Sequence, residues 1–145
     1  MGEYREAAGE WRELTMDAVI ENVTSLTETV DGMLESMDCP MRVQAQIDIA
    51  IDEVFSNIAN YAYAPDVGTA VVRIETCREP ASITLVFRDW GIKYNPLAKK
   101  DPDVTLGLEE RQIGGLGIFI VKKSMNKMYY RRRGRQNVLT LVKEF

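Results

Sequence analysis

The sequence predicts an α+β fold, a two-layer α/β sandwich with helices on one face of a mixed, mainly antiparallel sheet. The first supporting observation is the order of the expected elements, β-α-α-β-β-loop-α-β-β, which lacks the regular alternation of a doubly wound chain. The second is length, because 145 residues suit one domain. Residues 1–10 are polar, so we expect a flexible tail there and one folded domain over residues 11–145.

The N-terminal half predicts one strand and two helices. Residues 11–17 alternate roughly between apolar and polar side chains, as a short strand does. Apolar side chains at helical spacing predict a helix over residues 18–37. Pro40 suits the first turn of a helix, so a second helix is expected from there to about residue 63.

The C-terminal half predicts two strand pairs, one helix and a long connection. The expected strands cover residues 69–77, 81–88, 128–133 and 137–143, and the expected helix covers residues 115–127. Residues 89–112 predict an irregular connection, and a connection of this length is usually functional.

Composition excludes several classes of protein. Hydrophobic residues make up 46% of the chain and charged residues 28%, which is ordinary for a globular protein and excludes a disordered chain. No apolar run reaches the roughly 18 residues of a membrane span, and the N-terminus lacks a signal-peptide core. We therefore expect a cytoplasmic protein in which Cys39 and Cys77 are reduced. Because the chain contains no histidine, it supplies no histidine base, histidine zinc ligand or phosphohistidine.

Charge is distributed unevenly along the chain. The net charge is −4, yet residues 122–145 hold eight Lys or Arg and one acid. The overall acidity argues against a general nucleic-acid binder. The run Arg131–Arg133 with Arg135 is typical of a solvated strand edge, and contact with an acidic partner remains the alternative.

The expected second helix carries polar side chains beside its apolar stripe. Glu53 and Asn57 are four residues apart, which places them on one helix face, and Asn60 and Gln46 fall near the same stripe. A carboxylate there can act as a base, and an amide oxygen can ligate Mg²⁺. Taken alone, an E-x-x-x-N pattern more often marks solvated helix residues.

The segment after the strand over residues 81–88 combines an aspartate with a glycine. Asp89 can accept a hydrogen bond from an exocyclic amine, and Gly91 lets a flat ring approach the backbone. A simple turn is the alternative, because Asp, Gly, Asn and Pro all favour turns.

A second glycine-containing segment, I-G-G-L-G-I, precedes the last expected helix. Free backbone N–H groups at a helix N-terminus can cradle phosphate when no side chain blocks them. A hinge or a close helix contact is the alternative. The segment has no G-K-[ST] ending, so it is not a P-loop, and it does not follow a strand in a βαβ unit.

Together and in this order, these motifs resemble the GHKL ATPase superfamily, which includes gyrase B, Hsp90, histidine kinases and MutL. The stretches that carry the resemblance are I-D-E-V-F-S-N-I-A-N-Y-A-Y, D-W-G-I-K-Y-N-P-L and G-G-L-G-I-F-I-V-K-K-S-M-N-K-M-Y-Y-R-R. Within the superfamily the chain is most similar to the small bacterial anti-sigma-factor serine kinases. The resemblance covers residues 11–145 and implies the GHKL (Bergerat) fold.

The resemblance implies a role for each motif. Glu53 would be the general base that activates a serine hydroxyl, and Asn57 would ligate the Mg²⁺ that bridges the phosphates of ATP. Asp89 would accept the adenine amine, with Gly91 packed nearby. The remaining expected nucleotide contacts are Asn60, Asn95, Gly114, Gly115, Leu116 and Gly117.

Two further positions follow from the same resemblance. The segment over residues 98–114 would form a lid above the nucleotide. Arg111, near its end, is a candidate contact to the γ-phosphate, and a solvated lid residue fits it equally well. Thr140 in the last strand would lie near adenine.

The function implied is that of an ATP- and Mg²⁺-dependent serine/threonine kinase that is also an anti-sigma factor. It would phosphorylate an anti-anti-sigma (STAS-type) protein and sequester a sigma factor, without direct contact to nucleic acid or membrane. The family also allows a homodimer. Two alternatives remain: a catalytically silent nucleotide-binding partner-switch module, and a stand-alone catalytic module of a histidine kinase whose phosphoacceptor lies on another chain.

Overall fold

The computed structural model of the chain describes residues 9–98 and 116–145. Within these ranges five strands form one sheet in the order β1-β2-β3-β5-β4, and every neighbouring pair is antiparallel. The strands are β1 (Trp11–Asp17), β2 (Thr69–Arg78), β3 (Ala81–Asp89), β4 (Lys127–Arg133) and β5 (Gln136–Glu144). The hairpins β2–β3 and β4–β5 meet where β3 pairs with β5.

The helix layer of the described chain contains three α-helices. These are α1 (Val23–Glu35), α2 (Met41–Asn57) and α3 (Leu116–Ser124). A short 3-10 turn, Ile20–Asn22, precedes α1, and α2 continues directly into a π-helical turn, Ile58–Ala62. α2 packs against both α1 and α3, so it lies at the centre of the layer.

The core lies between the helices and one face of the sheet. Side chains of a strand point alternately to its two faces, and the inward positions of β2, β3 and β5 are apolar apart from Thr76, Asp89 and Asn137. The largest fully buried side chains include Leu26, Ile47, Ile51, Phe55, Ile74, Leu85, Phe87 and Leu141. The outward positions include half-buried or exposed Arg73, Thr84 and Arg131. One apolar layer therefore fixes which side of the sheet meets the helices.

The predicted α+β class and the predicted order of elements are confirmed. The sheet is antiparallel at every described pair, whereas a mixed sheet was allowed. The helix expected over residues 18–37 covers only Val23–Glu35, because Val19 is extended and a 3-10 turn precedes the helix, while Asp38 adopts a positive φ of 55° beyond its end. The helix expected to reach residue 127 ends at Ser124, because the Asn126 N–H already donates to the carbonyl of Val142 in β5.

The described chain is anchored to the sheet before β1 begins. The backbone N–H of Glu10 donates to the Thr76 hydroxyl at 2.9 Å, and the N–H of Thr76 donates to the Glu10 carbonyl at 2.8 Å. Gly9 has a φ of +73°, and a Cβ on it would meet the Thr76 carbonyl. Residues 9 and 10 therefore follow the sheet, whereas the expected flexible tail spans residues 1–10; residues 1–8 lie outside the described ranges.

Candidate functional site

A pocket lies where the C-terminal end of α2 meets β3, β5 and the segment that follows β3. Its lining residues are Val54, Asn57, Ile58, Tyr61, Ala62, Phe87, Asp89, Ile92, Tyr94, Pro96, Ile118, Tyr130, Asn137 and Leu139. Apart from three tyrosines, the polar side chains among them are Asn57, Asp89 and Asn137. An apolar cavity with a few convergent polar groups is the usual form of a small-molecule site.

The pocket is narrow in this structure. Its volume is about 70 Å³, whereas ligand pockets commonly measure roughly 300–1,000 Å³. Tyr61 and Ile92 at its rim are 61% and 66% exposed. A ligand of ordinary size therefore requires rim side chains to move outward, and exposed side chains change rotamer easily.

Glu53 and Asn57 lie together on α2, as their spacing predicts. The Asn57 side-chain amide donates from Nδ2 to Glu53 Oε1 at 3.3 Å. This contact turns the amide oxygen of Asn57 away from Glu53, and Asn57 also lines the pocket. The pair therefore offers one carboxylate and one neutral oxygen, the latter a ligand type suited to Mg²⁺.

The first turn of α3 packs directly on the Glu53 side chain. A Cβ built on Gly117 would overlap the Glu53 carboxyl group, so only glycine allows this approach. The first backbone N–H groups of a helix have no partner within the helix and favour negative charge. The geometry therefore brings Glu53, Asn57 and the N-terminal end of α3 to one place.

Asp89 ends β3 with its side chain facing the pocket, and it is only 5% exposed. Its Oδ1 accepts hydrogen bonds from the Gly91 N–H and from Asn137 Nδ2, each at 2.9 Å. Among the described residues, Oδ2 has no hydrogen-bond donor. A carboxylate oxygen that faces a pocket and has no donor among the described residues is available to accept a donor group of a ligand.

Gly91 joins the segment after β3 to the π-helical turn after α2. A Cβ on Gly91 would overlap the Ala62 carbonyl, and the Ile92 N–H donates to that carbonyl at 2.9 Å. The π-helical turn therefore holds the Asp89–Gly91 segment in place. Such turns occur often at functional sites, and no sequence pattern indicated this one.

Tyr63 provides a second connection between the same segments. Its hydroxyl donates to the Thr69 carbonyl at 2.6 Å and accepts the Trp90 N–H at 2.7 Å. Burial raises the pKa of the Tyr63 hydroxyl and the nearby Asp89 carboxylate adds to the rise, although the Trp90 N–H opposes it. The hydroxyl therefore stays protonated and keeps both contacts. Trp90 itself is 42% exposed and does not line the pocket.

Asn137 of β5 is a pocket residue that the sequence analysis did not identify. It pairs with Asp89 across the β3–β5 ladder and is 6% exposed. The family resemblance indicated Thr140 instead. Thr140 is three residues further along β5, so it lies on the outer sheet face and does not line the pocket. The contact of Thr140 with adenine stays a prediction, whereas the pairing register of β5 brings Asn137 into the pocket.

The basic run of β4 divides between the two sheet faces. Arg132 faces inward and donates from Nη1 to the Gly91 carbonyl at 2.9 Å, so it is not a solvated edge residue. Arg131 and Arg133 face outward, where they are exposed, and Arg135 is exposed in the turn that follows. The prediction of a solvated strand edge thus fits Arg131, Arg133 and Arg135, whereas Arg132 contacts the backbone beside the pocket.

The remaining predicted nucleotide contacts are not all near the pocket. Asn60 lies exposed in the π-helical turn. Asn95 accepts the Leu97 N–H at 2.9 Å through its side chain and so caps a 3-10 turn, Pro96–Ala98. Neither side chain lines the pocket. Leu116 begins α3 beside Gly117. The predictions for Gly114, Gly115, Arg111 and nearly all of the lid fall outside the described residues.

Comparison with known proteins identifies the family. The family described as "Histidine kinase-like ATPase domain" matches residues 16–143. The chain therefore belongs to the histidine kinase-like ATPase family, and the GHKL resemblance stated from the motifs is confirmed. Membership of this family implies nucleotide binding.

Two known proteins are similar to this chain, one in sequence and one in fold. Over 101 residues the chain is 27% identical to the serine/threonine-protein kinase BtrW of Bordetella bronchiseptica. This match covers 70% of each chain. The fold of the chain matches the crystal structure of the RsbU and RsbW domains of Rv1364c from Mycobacterium tuberculosis, with a TM-score of 0.63 and 16% identity. That match covers 92% of this chain and 32% of the other, so the chain spans about a third of that protein.

None of the helices in the described ranges is both long and apolar enough to cross a membrane.

Proposed function

We propose that the chain is an ATP-dependent serine/threonine protein kinase and anti-sigma factor. It phosphorylates an anti-anti-sigma (STAS-type) protein and sequesters a sigma factor. The observation that carries the proposal is that Asn57 lines the same pocket as Asp89 while it contacts Glu53. The side chain that contacts the candidate catalytic carboxylate, Glu53, thus lines the same pocket as the candidate base-recognising carboxylate, Asp89. The similarity to a serine/threonine kinase supports the choice of reaction.

The residues present fit a magnesium–nucleotide complex. Asp89 Oδ2 would accept the exocyclic amine of adenine, and the amide oxygen of Asn57 would ligate Mg²⁺. The N-terminal N–H groups of α3 would face the phosphates, with no side chain on Gly117 to block them. Bound Mg-ATP supplies the transferable phosphoryl group and neutralises charge on the phosphates.

Glu53 is the residue proposed to handle the proton. Its carboxylate would take the proton of the acceptor serine or threonine hydroxyl as the oxygen is phosphorylated. The Asn57 amide donates to Glu53 Oε1 and so restricts the rotation of the carboxylate. Phosphoryl transfer depends mostly on such positioning and on charge neutralisation, with little covalent help from the protein.

Nucleotide binding is tested first with Asp89→Asn and isothermal titration calorimetry. Oδ1 of Asp89 accepts two N–H donors, so the amide of the variant must keep its oxygen there and turn its NH₂ toward the pocket. A donor then faces the adenine amine, and we expect the affinity for Mg-ATP to fall about 10- to 100-fold. Glu79→Gln, an exposed residue in the turn between β2 and β3 at the opposite end of β3 from Asp89, should leave the affinity unchanged. A wild-type chain that does not bind Mg-ATP would contradict the proposal.

Phosphoryl transfer is tested with purified STAS-type proteins and ATP labelled at the γ-phosphate. The proposal expects one of them to gain an acid-stable phosphate on serine or threonine. An acid-labile phosphate on a histidine of another chain would favour the histidine-kinase alternative. ATP binding without transfer to any candidate would favour the silent partner-switch module.

Sequestration is tested separately by size-exclusion chromatography with purified sigma factors. The proposal expects one sigma factor to co-elute with the chain and to be released by the unphosphorylated STAS-type protein. A sigma factor that never co-elutes, in the presence of measurable kinase activity, would remove the anti-sigma role and leave the kinase.

A further inference from the structure

One row of polar side chains crosses the inner face of the sheet beside the pocket. Asp89 of β3, Asn137 of β5 and Arg132 of β4 are directly paired across the two ladders. Both Asp89 and Asn137 are buried in a mostly apolar layer. A buried polar group in such a layer is costly unless all of its hydrogen bonds are made.

Asn137 makes five hydrogen bonds. Its Nδ2 donates to Asp89 Oδ1 at 2.9 Å and to the Ile92 carbonyl at 2.7 Å. Its Oδ1 accepts from the Tyr130 hydroxyl at 2.6 Å, and from the Tyr94 N–H and Arg132 Nη1 at 3.2 Å each.

The orientation of the Asn137 amide is fixed by these partners. The Tyr94 N–H and Arg132 can only donate, and Asp89 Oδ1 and the Ile92 carbonyl can only accept, so a flipped amide would lose these four contacts, while the Tyr130 hydroxyl could adapt. Arg132 also donates a hydrogen bond to the Gly91 carbonyl. It therefore connects the Asn137 amide to the backbone segment that follows Asp89. The network therefore resists rotation of either side chain.

The two carboxylate oxygens of Asp89 therefore have different hydrogen-bonding environments. Oδ1 is occupied by Asn137 Nδ2 and the Gly91 N–H. Oδ2 has no donor among the described residues, and Asp89 lines the pocket. Without the Asn137 amide the carboxyl group could rotate and lose the fixed direction of Oδ2.

We propose that Asn137, held by Arg132, is a positioning residue that aims Asp89 Oδ2 at the exocyclic amine of a purine and so sets base selectivity. This inference rests on the proposed function, because it concerns the nucleotide pocket. It assigns a role to an asparagine and an arginine that do not themselves recognise the base.

The test compares two nucleotides that differ only in the amine: ATP and purine riboside triphosphate, which has hydrogen at that position. Calorimetry should show that wild type prefers ATP by about 10-fold or more. In Asn137→Ala the affinity for ATP should fall by about that factor, while the affinity for the amine-free nucleotide changes less than about threefold. The loss of selectivity is the expected result.

A second pair of variants keeps the test decisive if Asn137→Ala does not fold. Arg132→Gln removes the cationic donor from Asn137 Oδ1 and should reduce selectivity in the same direction, by a smaller factor. Arg133→Gln changes the neighbouring, outward-facing arginine and is the matched control, with selectivity unchanged. Circular dichroism confirms that each variant is folded before titration.

The outcomes separate this inference from the proposed function. If Asn137→Ala or Arg132→Gln weakens both nucleotides equally, the network has only a structural role and the inference is overturned, while the proposed function stands. If wild type binds ATP without preference over the amine-free nucleotide, the inference is also overturned. If wild type binds neither nucleotide, the proposed function fails and the inference fails with it.

Discussion

The two carboxylates near the pocket are held in different ways. Asp89 is buried and has one oxygen fixed by two N–H donors. Glu53 is half-buried, with one described hydrogen bond, the one from Asn57. A fixed acceptor suits recognition of a base, whereas a proton acceptor must meet a hydroxyl that arrives with a protein substrate. The two environments therefore suit the two roles proposed for Asp89 and Glu53.

Glu53→Gln separates catalysis from nucleotide binding. A glutamine keeps an oxygen that can accept the Asn57 amide, but it cannot take a proton from a hydroxyl. We expect the rate of phosphoryl transfer to fall about 10²- to 10⁴-fold, while the affinity for Mg-ATP changes less than about threefold. Single-turnover transfer assays and calorimetry measure the two quantities.

The matched control is Asp52→Asn, which removes the neighbouring exposed carboxylate on α2 and should leave both quantities unchanged. If Glu53→Gln transfers phosphate within about threefold of the wild-type rate, Glu53 is not the base.

The contact between α2 and α3 depends on a glycine at the start of α3. An alanine Cβ at position 117 would push the Glu53 carboxyl group away from Asn57 rather than disrupt backbone, because the overlapping atoms end a flexible side chain. Alanine also favours a helix over glycine by up to about 1 kcal/mol. In Gly117→Ala we therefore expect the free energy of unfolding to be unchanged within about 1 kcal/mol and the transfer rate to fall at least about tenfold.

Gly32→Ala on α1 is the control for this substitution. Apart from its chain neighbours and the backbone of its own helix turns, no described atom lies within 4 Å of a Cβ built there, so the variant should gain stability without a change in rate. Urea unfolding and the transfer assay measure both variants. A fully active Gly117→Ala would show that the close approach of α3 to Glu53 is not required.

A pair of carboxyl groups lies between α1 and α2, away from the pocket. Oδ1 of Asp31 and Oδ1 of Asp48 are buried and have no hydrogen-bond partner among the described residues. Burial, together with the nearby Asp31, raises the pKa of Asp48 to about 7. Burial and the same two carboxylates also raise the pKa of the Cys39 thiol. Between about pH 4 and pH 7 the carboxyl group of Asp48 is therefore protonated in the folded chain and ionised in the unfolded chain.

The free energy of unfolding therefore falls as pH rises. The folded state binds more protons than the unfolded state between about pH 4 and pH 7, so this contribution is complete below that window and lost above it. Asp48→Asn removes the charge, and we expect the melting temperature to rise at pH 8 by up to about 4 °C, because a partly exposed pair is worth less than about 1 kcal/mol. At pH 5 the rise should be smaller.

Thermal unfolding at the two pH values measures this effect. Asp52→Asn on the same helix serves as the control, and we expect it to show no difference between pH 5 and pH 8. An equal shift for Asp48→Asn at both pH values would contradict the assignment of the proton to this pair.

The pocket is built from both layers of the molecule, so a bound nucleotide should stabilise the whole domain. Its walls come from α2, α3, β3, β4 and β5. Ligand at 100 times its dissociation constant adds about 2.7 kcal/mol to the free energy of unfolding. We expect the melting temperature to rise by roughly 5–15 °C with Mg-ATP.

Scanning calorimetry of wild type and Asp89→Asn measures this rise, and the variant should show a much smaller one. If Mg-ATP at millimolar concentration shifts neither protein, nucleotide does not bind to the folded domain. An equal shift of both proteins would place the binding site elsewhere.

Much of the fold and part of the site were predictable because local periodicity carries that information. Apolar spacing gave the helices and strands, and a period of 3.6 residues placed Glu53 and Asn57 on one face. Asp89 was predicted at the end of a strand, where it lies. These features depend on residues close together in the chain.

Only the tertiary structure could identify Asn137 and Arg132. In a strand, positions 137 and 140 face opposite sides of a sheet, so the pairing with β3 decides which one meets Asp89. The π-helical turn after α2 likewise depends on its contact with Gly91, because its sequence continues an ordinary helical pattern. The chain itself determined the family, the layers and the Glu53–Asn57 pair through local spacing, whereas register and packing between distant segments decided which side chains complete the pocket.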